Sequence, residues 1–446
     1  MKNPAPISCA DLERYQDFHE NDTVRRAMTS VFAKTNMNDM AFVTKKAKAM
    51  QFFFSVDIKT MAATNQMSSG RCWLFAATNV LREIIAKKLN VESFELSQSH
   101  LAFWDKFERI NYYIESVIDT AALPSDSRTV DHIVGTGVHD GGQWDMFVNI
   151  VKKYGIVPKV CSPETFQSSN TGNVNKHINT YLRAKTTLLR KLANEGKTEE
   201  LAALRDEMLS KTYSFLCAAY DTPVTEFDFE YKDKDSKIIV EKGLTPKSFF
   251  DKYIGDYLDD YVSIIHAPTT DKPFNKAYTV KYLGNVAGGD KVRYLNLELE
   301  EFKKLVIDQL KDGEIVWFGS DCGKYNDGSK ACWDVEQYNE EIVTGLDIAM
   351  TKEEMLNCHV SQMNHAMCIT GVNIDEETGR PNRWKIENSW GTGGAHGGYH
   401  MASDAWFDLY VYQAVVNKKY LGDKALLLDG ELTELEPWDP MGSLAD

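Results

Sequence analysis

Apolar residues recur at spacings of three and four through Leu74, Ala77, Leu81, Ile84, Ile85 and Leu89, while Arg82, Glu83, Lys87 and Lys88 fall on the other side. That period predicts an amphipathic helix over residues 74–90. Ser97 and Ser99 mark the cap-rich start of a second helix, predicted to run through Phe107. Residues 175–220 set leucines among Lys, Arg and Glu, the pattern of a solvated helical hairpin, with its break at Asn194-Glu195-Gly196. Ahead of these elements, residues 11–34 read as helix and residues 41–58 as extended chain. Behind them come strands over 226–240, helix over 244–258, helix over 300–311 and a buried strand over 314–319. Two further strand-like runs follow, one opening on Asn364-His365 and one ending in the turn Asn388-Ser389-Trp390-Gly391.

Composition narrows what such a chain does. With 446 residues it has room for two or three domains at about 150 each. Lys plus Arg number 50 against 65 Asp plus Glu, a net charge of −15. A surface of that sign repels phosphate backbones and anionic lipid, and no basic run offsets it, so nucleic acid is not an expected partner. The first twenty residues lack the apolar core of a signal peptide, and the apolar runs fall short of the roughly 18 residues that span a bilayer. A cytoplasmic protein with no membrane association is expected. Eight cysteines stand singly, none at metal or redox spacing, which fits a reducing compartment.

One of those cysteines is placed for chemistry. Cys72 opens the first predicted helix, where unpaired N–H groups and the positive end of the dipole favour a thiolate and are expected to lower the thiol pKa. An arbitrary free cysteine is a small buried apolar residue, but the neighbours of Cys72 argue otherwise. Gln66, six residues upstream, supplies a side-chain amide for an oxyanion forming on a carbonyl attacked by Cys72, with the Cys72 N–H as second donor. Gly70 permits close backbone approach, and Trp73 supplies a ring to bury behind the thiol. His365 and Asn388, on adjacent antiparallel strands, would provide a proton shuttle and its orienter. Cys358, His359, His365 and Cys368 do not match zinc-ligand spacing, and neither metal nor cofactor is expected.

Ser69-Gly70-Arg71-Cys72-Trp73 and the His365 and Asn388-Ser389-Trp390-Gly391 regions resemble the papain-like cysteine peptidases. The stretch NQMSSGRCWLFAATN from Asn65 to Asn79 is closer to the bleomycin hydrolase and aminopeptidase C branch. Two departures stand out: Arg71 replaces a small residue, and Ser69 stands where secreted relatives keep a disulfide cysteine. The aligned partner position is His139, so both halves of that bridge are absent together. The resemblance implies an α+β fold with a helical left half, an antiparallel, barrel-like right half, a large helical insertion and a C-terminal tail in the cleft. It divides the chain into a wrapping segment (1–60), a helical half with the nucleophile (61–160), an insertion used in oligomerisation (161–300), a β half with His and Asn (301–430) and the tail (431–446). His365 follows Cys72 by 293 residues rather than the about 130–150 of secreted papains, an excess close to the size of the insertion.

The same resemblance implies a cysteine aminopeptidase acting through a thioester on peptides with a free N-terminus, assembled as a homohexamer. Gly141-Gly142, a turn on its own, then becomes a loop that binds substrate backbone. Trp390 shields the His365–Asn388 hydrogen bond, and a terminal carboxylate at Ala445 or Asp446 pairs with the substrate's α-ammonium. Asp446 extends one residue past the branch's usual end, which suggests that the enzyme removes it from its own tail. An endopeptidase or acyl transferase, or a ring-forming binding protein, is the alternative. The insertion itself carries no cluster of nucleophiles or ligands, and His100 reads as structural.

Overall fold

The strand that opens on His365 shows why the two halves of the molecule meet where they do. Along His365–Ile374, Ala366 and Cys368 face one apolar core and Met367 and Ile369 face another. Neighbouring strands split the same way, Trp317 against Phe318 and Ile265 against Ile264, so the sheet is buried on both faces. Period-two alternation of apolar residues on both sides is what such a buried sheet requires.

The computed structural model describes residues 4–443. Its large mixed sheet runs, by residue number, 433–435, 276–280, 294–296, 261–265, 411–417, 316–320, 365–374, 381–387, 399–403, 332–333 and 326–327, with 56–57 added beside 365–374. The six central strands are antiparallel; parallel pairs occur only towards the two edges. On one face lie helices Cys72–Leu89, Gln98–Asp119 and Trp144–Tyr154, and on the other helix Leu299–Lys311. This is the α+β, papain-like arrangement.

Several expected elements change in extent. The second helix runs to Asp119 rather than Phe107, because Ile110, Tyr113, Ile114 and Val117 continue its buried face. The single helix expected over 11–34 is two, Cys9–Asn21 and Thr23–Phe32, since Asp22 ends the first and caps the second by accepting from the Arg25 N–H at 2.9 Å. The chain expected to be extended over 41–58 starts at the last residue of short helix Met37–Ala41, holds helix Thr44–Ala49 and pairs with the sheet at Val56–Asp57. The hairpin breaks where expected, between Gly172–Asn194 and Thr198–Tyr220. Within 161–300, helix gives way after Asp260, and Tyr261–Ile265, Lys276–Val280 and Tyr294–Asn296 join the sheet of the β half.

Arg82, expected among the solvated charges of its helix, is buried. It donates to Glu387 Oε1 at 2.8 Å, and Asn79 on the same helix donates to that oxygen at 2.7 Å. Thr60 donates to the other oxygen at 2.6 Å. Burial pushes the Glu387 carboxyl up to about 7 while Arg82 and Thr60 pull it down. These bonds lock helix Cys72–Leu89 to the residue preceding Asn388.

Candidate active site

Cys72 is the first residue of its helix and is buried, facing a cavity of about 290 Å³ that Gln66, Gly70, Asp140 and His365 also line. The first turn leaves amides without intrahelical partners, and the N–H of Ala366, from the facing strand, donates to Cys72 Sγ at 3.3 Å. The residue after His365 therefore touches the sulfur. The cysteine and histidine, distant in sequence, share one cavity.

Ordinary sheet geometry joins His365 to Asn388. Strands His365–Ile374 and Pro381–Glu387 are antiparallel, with Cys368 opposite Glu387, so the residue following the second strand lies beside the start of the first. His365 Nε2 and Asn388 Oδ1 are 2.8 Å apart. The backbone N–H of Ser389 donates to the same Oδ1 at 2.8 Å, which identifies that atom as an acceptor. The imidazole therefore carries its proton on Nε2 and keeps the lone pair on Nδ1. Trp390 stacks on the His365 ring with centroids 5.1 Å apart and remains 43% exposed, a partial lid over the bond.

Gln66 is fixed from three sides. Its N–H donates to Ser389 O at 2.9 Å, its Oε1 accepts from Ser389 Oγ at 2.6 Å, and its Nε2 donates to Ser69 O at 2.5 Å. One amide hydrogen is left for the cavity. Ser389 thus serves both sides of the cleft, a role that sequence reading did not assign although it follows Asn388 directly.

The expected electrostatics of the thiol need correction. Burial pushes Cys72 up to about 12, against the N–H groups of Ala366 and Trp73, and burial likewise pushes His365 down to about 4, against the bond to Asn388. The helix terminus acts in the expected direction but desolvation outweighs it. Burial thus opposes charge on both groups.

Gly141 and Gly142 are both buried. The Gly141 carbonyl accepts from Arg109, and a Cβ at Gly142 would lie 2.5 Å from the Trp73 ring, so only glycine fits there. The Trp73 indole N–H in turn donates to Asp140 O at 2.6 Å. The tail docks firmly. Asp439 pairs with buried Lys272 at 2.8 Å, Arg128 lies over the Trp438 ring at 4.0 Å, and Tyr294 donates to Met441 O at 3.1 Å. Ser443 O accepts from Gln143 at 3.0 Å, and Ser443 Oγ donates to Met363 O, two residues before His365, at 2.6 Å. Ala445 and Asp446 lie outside the described residues.

The insertion, expected to carry no site of its own, contributes to this one: Thr171, Gly172 and Asn175 line the cavity that Cys72 faces. The cap-poor start of its first helix carried no sequence signal of that contact. All eight cysteines are unpaired. Among the described residues no group of three or more His, Cys, Asp or Glu is arranged to hold a metal ion, and no helix is long and apolar enough to cross a membrane. His100 is buried among the helices, and burial pushes its ring down to about 4.

A cysteine at a helix start, facing a His–Asn pair on an antiparallel sheet, places the molecule among the papain-like cysteine peptidases. The chain belongs to the Peptidase C1-like family, whose model matches residues 6–442, and to its aminopeptidase C and bleomycin hydrolase branch. It is 47% identical to aminopeptidase C of Lactobacillus delbrueckii subsp. lactis over 397 residues, 88% of each chain. Human bleomycin hydrolase is 40% identical over 391 residues, 86% of each chain. The crystal structure of PepW from Lactobacillus rhamnosis HN001 superposes with a TM-score of 0.96 at 44% identity, covering 99% of this chain and 100% of that one.

Proposed function

We propose that the chain is a cysteine aminopeptidase in which Cys72 is the nucleophile, His365 the proton shuttle, Asn388 its orienter, and Gln66 with the Cys72 N–H the oxyanion donors. The Cys72 thiol proton passes to His365 Nδ1 as the sulfur attacks the substrate carbonyl carbon. The tetrahedral oxyanion sits between Gln66 Nε2 and the Cys72 amide. Collapse breaks the C–N bond, His365 gives its proton to the departing amine, and a thioester remains. Water, deprotonated by His365, then adds to the thioester; collapse expels the Cys72 sulfur, which recovers its proton. This route uses neither metal nor cofactor. The observation that carries the reading is the contact of Ala366 N–H with Cys72 Sγ beside the 2.8 Å His365–Asn388 bond.

The substrate would be a peptide with a free N-terminus, its backbone following Gly141-Gly142. Support for an exopeptidase is the tail, which reaches Gln143 and Met363 at the cleft by Ser443. The last residues, Ala445 and Asp446, would meet the substrate ammonium. Wild type and Cys72→Ser, each with and without residues 444–446, test this on amino-acyl amides and on N-blocked peptides. Full-length wild type is expected to cleave only the former, the truncated enzyme to gain the latter, and Cys72→Ser to lose both. Equal cleavage of blocked peptides by the full-length enzyme would instead favour an endopeptidase or acyl transferase. Self-removal of Asp446 predicts that wild type is lighter than Cys72→Ala by one aspartate residue beyond the substitution; otherwise equal intact masses would sink it.

A homohexamer in the cytoplasm completes the proposal. Helices Cys9–Asn21 and Thr23–Phe32 bury none of their residues within the chain, and Ile7 and Phe18 are 68% and 76% exposed. Such a surface suits a second copy of this chain. Sedimentation equilibrium is expected to give six times the 50.5 kDa chain mass.

A further inference from the structure

The residue that caps the nucleophile helix is not one chosen for capping. Arg71 occupies the N-cap and makes no side-chain cap bond, although Ser, Thr, Asp and Asn satisfy first-turn amides best. Its side chain turns elsewhere and is only 2% exposed. Arg71 donates through both terminal nitrogens to the two oxygens of Glu164, at 3.2 and 3.0 Å, and through Nε to Ser69 Oγ at 2.9 Å. Ser69 Oγ donates to Gln66 O at 2.6 Å, and Ser69 O accepts from Gln66 Nε2 at 2.5 Å. An unbroken path therefore runs from Glu164, on the insertion, to the amide proposed to meet the oxyanion.

A second arm holds the same loop. The Gly70 N–H donates to Asp140 Oδ2 at 3.1 Å, and Asp140 also accepts from Lys106 and Thr171, all three of these side chains being buried. Although burial raises its pKa, Lys106 and these donors hold the Asp140 carboxyl well below the usual carboxylate range. Ser68 N–H donates to Ser169 O at 3.0 Å, and Thr171 N–H to Ser68 O at 3.3 Å. Ser68, Gly70 and Arg71 are thus each tied to a segment distant in sequence, and Ser69 is held between Gln66 and Arg71.

We infer that the pairs Arg71–Glu164 and Asp140–Lys106 clamp residues 68–71 and so set the geometry of the oxyanion donors, making Arg71, Glu164 and Asp140 positioning residues for catalysis. The inference rests on the proposed roles of Gln66 and the Cys72 amide. The insertion thereby acts on the reaction as well as enlarging the chain. A planar guanidinium fork fixes direction as well as charge, which an ammonium does not, and removal of Glu164 strands a buried cation that the loop must move to solvate.

The test uses the full chain carrying Glu164→Gln or Arg71→Lys, with three readouts: turnover of an amino-acyl amide, inhibition by the matching amino-acyl aldehyde, and alkylation of Cys72 by iodoacetamide. The aldehyde forms a tetrahedral oxyanion on the sulfur, whereas alkylation forms none. Glu164→Gln is expected to lower kcat about 10–100-fold, somewhat less than outright loss of an oxyanion donor. KM should change little, the aldehyde should weaken by the same factor, and alkylation should stay near the wild-type rate. Arg71→Lys, which keeps the charge and loses the fork, is expected to behave alike and carries the test if Glu164→Gln does not fold. Wild-type kcat and aldehyde affinity in a folded variant would overturn the clamp, as would alkylation falling in step with kcat. A wild-type enzyme inactive on amino-acyl amides would instead overturn the aminopeptidase reading itself.

Discussion

The two sides of the cleft are built in opposite ways. On the β side, His365 and Asn388 lie 23 residues apart, and the register of two adjacent antiparallel strands brings them together. On the helical side, the loop before Cys72 has no regular structure of its own and takes its shape from Lys106, Asp140, Glu164, Ser169 and Thr171. A sheet supplies precision through its repeating backbone bonds, whereas a loop must borrow precision from buried side chains. Damage on the β side should therefore be local, and damage on the helical side should spread to whichever segment holds the loop.

The sharpest way to break this comparison is at the reacting atoms. Cys72→Ala and His365→Ala are each expected to cut kcat by about 10³-fold or more, and the double variant should be no worse than either, because the two act as one unit. Additive losses on single-turnover analysis would show that they do not. Next in size, Gln66→Ala should lower kcat by about 10²–10³-fold with alkylation of Cys72 preserved.

Asn388→Ala should cost less and leave a different mark. Burial holds His365 at about 4, below its ordinary 6.5, while the bond to Asn388 raises it. The pair keeps the single proton it needs until the ring itself is protonated, so the acid limb of kcat/KM is expected below 6.5 in wild type. Loss of the Asn388 bond should move that limb to still lower pH; a move upward in the measured profile would sink this account.

The smallest expected effect lies away from the cleft, at Lys352. It is buried, donates to the carbonyls of Asp408 and Val411 and lies over the Tyr412 ring, and burial pushes its ammonium down to about 7 from 10.5. Between those values the unfolded chain binds the extra proton, so stability rises with pH across that window and the full penalty applies below it. Lys352→Met should compare best with wild type in thermal unfolding below pH 7 and progressively worse towards 10.5. A difference that does not vary with pH would place the proton elsewhere.

What the sequence disclosed follows the same division. The His365 and Asn388 strands, the hairpin break at Asn194-Glu195-Gly196 and the nucleophile helix are local patterns of period two or three to four, and periodicity reports local structure. A helix period cannot tell a solvated charge from one paired across the core, as Arg82 is with Glu387. Helix position, which favours a thiolate at Cys72, is visible in sequence, whereas the burial that opposes it is not. Glu164 and Thr171 left no trace, since their partners are about 30 to 90 residues away and each looks like an ordinary surface residue. Arg71 was the one available sign: a residue that departs from its expected type beside a nucleophile marks a contact still to be found.

The lock formed by Arg82, Asn79 and Thr60 on Glu387 bears on whether the two halves can part. Were the halves to part like a clamshell, a carboxylate and a guanidinium would be separated in a dry interior, at a cost of about 3–5 kcal/mol for a buried pair broken on one side. That cost opposes separation of the two halves along this seam and keeps the Cys72 helix in register with the turn that carries Asn388.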